Sequence, residues 1–400
     1  MAQSTAWVNA VSPTTSTLYS VAFSNQNICV AVGDSGTIVR SIDGGTGWST
    51  VNSPVGDALR GVSFFGNNGL AVGISGRILR TTNAGATWKL LARQTTKNLY
   101  SVSMSSRMAV ATGEEGTILV STDNGITWTA KTAGSASIFF GVSVYGDSAI
   151  GVGGQGAFIN TINRGDGWGL EAVGGSLDFF YGATLPDGVV GYAVGVSTSG
   201  NWILRTDNTG FTWAAQTSGS TSPLSGVSFS SRDTGTVVGA NGTILHTSNG
   251  GKQWDSQVSG TTQSLNGVAF LDSVHGIAVG DNGTILRTVT SGNKPTVITK
   301  TATKVTDNSA TLNGIVNAHG LTTRVWFQYG TVSGSYNTKS SKKTVNGSLN
   351  KNINVNIDGL SSQMNYYYRI AARNKAAPPM EKKSHLLPNR DGVCLVCFCI

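Results

Sequence analysis

The sequence predicts an all-β protein, a seven-bladed β-propeller over residues 1–292 followed by a small β-sandwich over 293–375. Three observations predict it. A unit of about forty residues recurs seven times, opening at Gly33, Gly73, Gly113, Gly153, Gly195, Gly239 and Gly280. A tryptophan follows most copies on the same beat, at Trp48, Trp88, Trp128, Trp168, Trp213 and Trp254. The seventh copy has no such tryptophan, but Trp7 precedes Trp48 by one repeat length. Half a repeat at each end is what a closed ring needs, because the first strand then completes the last blade and leaves no unpaired seam. An open solenoid has no use for it.

Each unit supplies four short strands, taken here from the channel outward in the second blade. The innermost is Leu59-Arg-Gly-Val-Ser-Phe64, the second Gly69-Leu-Ala-Val-Gly73, the third Arg77-Ile-Leu-Arg-Thr81, and the fourth follows Trp88. Both faces of a blade pack on neighbours, so these strands read as apolar and small. The last hairpin of each unit is an Asp box, as in Ser121-Thr-Asp123-Asn-Gly125-Ile-Thr-Trp128. A short side chain accepts hydrogen bonds from the turn amides, Gly takes the positive φ, and the indole covers the edge between blades. The equivalent positions are Asp43, Asn83, Asn163, Asn208 and Asn249. Asn at four of the six serves hydrogen bonding but suits neither metal binding nor acid catalysis, so these positions are read as structural. The 53 glycines against 8 prolines fit many tight turns.

The repeated string G-x-x-G-T-I-L-R-T…D-G-G-x-T-W resembles the photosystem II stability/assembly factor-like proteins and the wider group with bacterial neuraminidase repeats. The resemblance covers residues 5–290 and implies the propeller fold. For function it implies several things, since such repeats occur in a photosynthetic assembly factor, sialidases, other glycosidases and uncharacterised secreted proteins. Residues 295–375 resemble fibronectin type III modules through Asn308–Gly314, Val325-Trp-Phe-Gln-Tyr-Gly330 and Tyr366–Asn374. That resemblance implies Trp326 as the core indole and Tyr366 as a tyrosine-corner residue. A final strand is expected after Asn374, but residues 376–400, a basic, Cys-containing tail, do not read as one.

Ligands of propellers meet the mouth of the central channel. The residue at the start of the innermost strand reads, blade by blade, Tyr19, Arg60, Tyr100, Phe140, Tyr181, Ser225 and Asn266. Four aromatics and one arginine on five consecutive blades make a one-sided stacking surface, suited to sugar rings or peptide side chains; packed rings plugging the channel are the alternative. Asp34, Glu114, Glu115 and Asp281 sit in the turns at the same mouth, where two carboxylates across a cleft would serve a glycoside hydrolase. The three-arginine grip of sialidases is missing: Arg40, Arg80, Arg205 and Arg287 recur on the third strand, away from the channel, and are read as inter-blade contacts. No phosphate loop, histidine cluster or catalytic-triad order is visible, and no metal or cofactor is expected.

The formal charge of +8 is uneven. Residues 1–290 hold 14 Lys+Arg and 16 Asp+Glu, whereas 291–400 hold 14 and 4. The basic end would attract anionic surfaces or simply keep the protein soluble. Cys29 reads as a small buried residue, and Cys394, Cys397 and Cys399 fall short of a zinc set. With no apolar run near the ~18 residues of a membrane helix and low charge offset by Ser, Thr and Asn, the expectation is a secreted, surface or periplasmic protein. A signal peptide is not expected in front of the first repeat. The leading functional expectation is a non-catalytic scaffold binding a glycan or peptide at the mouth, without specific nucleic-acid binding; the alternatives are a glycoside hydrolase and a membrane-complex assembly factor.

Overall fold

The computed structural model describes residues 5–197, 200–290, 295–318, 321–347, 350–374 and 396–399. It divides into two compact units, Ala6–Thr288 and a second formed by Val289–Ile400 with Met1–Thr5.

The first unit is a seven-bladed propeller. Six antiparallel four-stranded sheets run in chain order from the channel outward, and the seventh takes its outermost strand from the other end of the chain. That strand, Thr5–Asn9, lies beside Ile285–Thr290, and the Ala10 amide donates to the Ile285 carbonyl at 2.9 Å. Ring closure is therefore as the half repeats predict. Trp7 is buried in the seam, edge-on to Phe270 and donating from Nε1 to Gln257 Oε1 of blade six at 2.7 Å.

The second strands, such as Asn68–Gly73, are almost wholly buried, because residues on both of their faces meet other blades. The Asp-box side chains hydrogen-bond within their own turns. Asp43 Oδ1 accepts from the Ser41 hydroxyl at 2.9 Å and from the amides of Thr46 and Gly47 at 3.1 and 2.8 Å. Asn83, Asn163, Asn208 and Asn249 make the same hydroxyl and amide contacts with their side-chain oxygens. The third-strand arginines are inter-blade staples: Arg40 Nε donates to Ala84 O at 2.8 Å, Arg80 Nε to Asn124 O at 2.9 Å and Arg205 Nη1 to Gly250 O at 3.1 Å. A second staple, missed in the sequence, lies nearer the channel. Hydroxyls of Ser20, Ser101, Ser143 and Ser228 accept the amides of Val62, Val142, Leu185 and Phe270 on the next innermost strand.

The second unit is a two-sheet sandwich. Strands Thr296–Thr303, Ser309–Asn317 and Asn350–Asp358 form one sheet; the other is built on Thr323–Gly330 and Asn365–Arg373. Leu312 and Ile353 from the first share a core with Phe327 and Tyr368 from the second. Tyr366 accepts the Ser361 amide on its hydroxyl at 3.0 Å. Two expectations need correction. Trp326 is buried, at 7% exposed, but outside the shared core: strand alternation puts it on the face opposite Val325 and Phe327, and Phe327 fills that core. A final strand exists and comes from the tail, as Val396–Cys399 pairs antiparallel with Asn365–Tyr368. The rest of the tail, 375–395 and Ile400, lies outside the described residues.

Candidate functional site at the channel mouth

Each innermost strand carries a register shift at its start: Leu59 pairs Gly73, Gly61 pairs Val72, and Arg60 is skipped. The same shift skips Tyr19, Tyr100, Phe140, Tyr181, Ser225 and Asn266. These are β-bulges, and a bulge re-aims the extra side chain out of the pleat. The ring residues picked from sequence are thus the seven bulged residues, and all seven line one cavity of about 150 Å³ at the channel mouth. The glycine ending the second strand makes room for the bulge. A Cβ on Gly113 would sit 2.0 Å from the Asn98 carbonyl oxygen, and one on Gly73 2.1 Å from that of Ala58.

The mouth has two halves. On one, Tyr100, Phe140 and Tyr181 form a tilted run with ring centroids 5.3 and 5.4 Å apart. On the other, the Arg60 guanidinium lies 3.9 Å over the Tyr19 ring, its Nε buried without a hydrogen-bond partner. The rings line the cavity rather than plugging it, and Tyr181 is 38% exposed.

The predicted carboxylates stand behind this ring. Asp34 accepts the Tyr19 hydroxyl at 2.8 Å, Asp281 accepts Asn266 Nδ2 at 3.0 Å, and Glu114 accepts the Tyr100 hydroxyl at 3.0 Å and Asn98 Nδ2 at 2.8 Å. Glu115 pairs with Lys97 instead. Burial pushes the Glu114 carboxyl up, but hydrogen bonds from Asn98 and Tyr100, with the Lys97 charge, hold it below the ordinary range. It is therefore ionised near neutrality, suited to orienting Tyr100 rather than giving up a proton. Burial raises the Tyr19, Tyr100 and Tyr181 hydroxyls, so they stay protonated donors. Among the described residues no group of three or more His, Cys, Asp or Glu could hold a metal ion.

Blade five adds what the sequence reading missed. Its second hairpin pairs on to Val196↔Asn201 and Ser197↔Gly200, where blades one to three, six and seven turn through a 3-10 segment. Beside it, Leu177 (64% exposed) and Phe179 (36%), the latter paired with Val196, leave apolar side chains open to solvent. The signal was present: this repeat runs longer, with apolar residues just ahead of its innermost strand.

Residues 1–188 match the family model described as Photosynthesis system II assembly factor YCF48. The match covers just under half of the 400 residues and lies wholly within the propeller. Solved structures agree in fold. One described as YCF48 bound to D1 peptide is 20% identical with a TM-score of 0.58, covering 71% of this chain and 96% of its own. YCF48 from Cyanidioschyzon merolae gives 20% and 0.58, covering 70% and 98%. The WD40 propeller of Doa1 gives 12% and 0.55, covering 71% and 97%. At such identities the likeness is one of fold. No curated protein matches the sequence. The family model favours the assembly-factor expectation over the secreted glycan-binding scaffold.

Proposed function

We propose that this propeller is a non-catalytic assembly factor, like the family whose model its first 188 residues match, and holds a peptide segment of a client protein at its channel mouth. The observation that carries this reading is the ring of bulged side chains, with an aromatic ledge on one side and the stacked Arg60 on the other. Its cavity of about 150 Å³ is small beside the roughly 300–1,000 Å³ of ordinary small-molecule pockets. One side chain of a peptide fits that space, and the exposed Leu177 and Phe179 of blade five offer apolar contact to the rest of the segment. The relative bound to a peptide supports the same class of ligand. A glycan would also find ring faces here, but no comparison favours it. Placement outside the cytoplasm belongs to the same proposal and is tested by cell fractionation.

The test is a selection from a displayed random-peptide library, followed by calorimetry on the enriched peptides. Arg60→Ala and Phe140→Ala each weaken binding at least about tenfold, the effect of removing a central anchor. Lys252→Ala, away from the mouth, leaves it unchanged. If no peptide is enriched, or both mouth variants bind like the unaltered protein, the reading is wrong.

A further inference from the structure

The charge of the second unit is segregated. Its second sheet and adjoining turns, residues 321–347 and 365–374, carry six cations (Arg324, Lys339, Lys342, Lys343, Arg369 and Arg373) and no Asp or Glu. The first sheet and its turns mix Lys300, Lys304 and Lys351 with Asp307 and Asp358, the only carboxylates among the described residues of 295–374. Alternation from core-facing Val325 and Phe327 places Arg324, Arg369 and Arg373 on the opposite face of the second sheet, which they share with the buried Trp326; Arg324 and Arg373 are exposed and Arg369 is half-buried. Lys339 joins that face opposite Gln328.

Arg324 and Arg373 stand directly opposite each other across paired strands. Like charges so placed are destabilising. Neither makes an ion pair with any described residue, and neither do Lys339 and Arg369. A sheet that keeps two opposed arginines without a counter-ion is arranged for an anion from outside.

The shape of the face and the loops at one end of it indicate what kind of anion. Arg369 and Arg373, four residues apart on one strand, with Arg324 and Lys339 on strands about 4.8 Å apart, make a shallow array rather than a convergent pocket. At the Gly330 end, the turn after Thr323–Gly330 exposes Val332 (62%), and the loop leading into Asn365–Arg373 exposes Met364 (42%). Tyr336 lies on the same turn as Val332, under the Arg369 guanidinium at 4.9 Å. Exposed aliphatic tips beside a basic face combine charge attraction to anionic headgroups with shallow apolar insertion. We propose that this sheet face docks the second unit onto an anionic membrane surface, with Val332 and Met364 entering the headgroup layer. The inference is independent of the peptide reading of the mouth.

The test is co-sedimentation of the full chain with vesicles of phosphatidylcholine alone or with a third phosphatidylglycerol. Binding is expected to the anionic vesicles only and to fall as salt shortens the range of the attraction. Arg324→Gln/Arg373→Gln should cut it roughly tenfold or more, with no loss of thermal stability because the opposed charges are relieved. Lys339→Gln/Lys342→Gln, on the turn side, should weaken binding without touching the sheet centre. Val332→Ser/Met364→Ser should remove the part that survives raised salt. Equal binding to neutral vesicles, no binding to anionic ones, unchanged binding by both charge pairs, or preferential capture by duplex DNA or an acidic peptide would each overturn the proposal.

Discussion

Asp123 shows how much one side chain does in this fold. Burial pushes its carboxyl up, but the Thr127 hydroxyl and amide, the Ser121 hydroxyl and the Ile126 amide outweigh that and bring it down to about 2. A folded-state pKa below the ordinary 3.8 means stability that is present above that value and lost as pH falls through about 2. Asp123→Asn, which copies the four sister blades, keeps the accepting oxygen and loses the charge. It should cost about 0.5–1.5 kcal/mol at neutral pH, and the difference from the unaltered protein should vanish between about pH 4 and pH 2. Denaturant titrations across that range check both the size and the direction. Cys29 lies at the other extreme: burial pushes its thiol up to about 12, which leaves it inert at neutral pH.

The element that makes the site is the bulge, and the bulge depends on the glycine opposite. Gly113 has an extended backbone, so its requirement is space and not conformation: any Cβ would collide with the Asn98 carbonyl. Asn98 in turn binds Glu114, which holds Tyr100. Gly113→Ala should therefore cost about 1–3 kcal/mol, the usual size of overpacking. It should also weaken ligand binding at the mouth by displacing Tyr100. Calorimetry and chemical denaturation on the same sample separate the two. A variant as stable as the original that binds normally would show that the bulge tolerates a methyl group there.

For the whole molecule the decisive contact is the seam. Trp7, nearly three hundred residues from its partner strand, fills the gap between blades seven and six through Phe270 and Gln257. Trp7→Ala should lower stability by about 3–5 kcal/mol, as for other buried tryptophans. The loss should register at the far blades as well as at the seam, since each innermost strand leans on the next around the ring. Hydrogen exchange resolved by blade tests this: protection lost only in blade seven would mean that the blades are held independently.

The sequence by itself determined the blade count, the closing strand and the identity of the seven channel residues, because a repeat prints the same physical demand seven times. Gly, Asp or Asn, and Trp recur wherever a turn, a cap or an inter-blade edge recurs. It did not show that those seven residues sit on bulges, since a register shift is a relation between two strands and leaves no mark in either. Nor did it show that Glu114 is held ionised behind Tyr100, or that Trp326 turns away from the core while Phe327 fills it. The opposed Arg324 and Arg373 likewise emerged only from pairing, being 49 residues apart in the chain. Tertiary structure decided these points because each depends on which backbone faces which, and a linear pattern carries periodicity but not the partner across the gap.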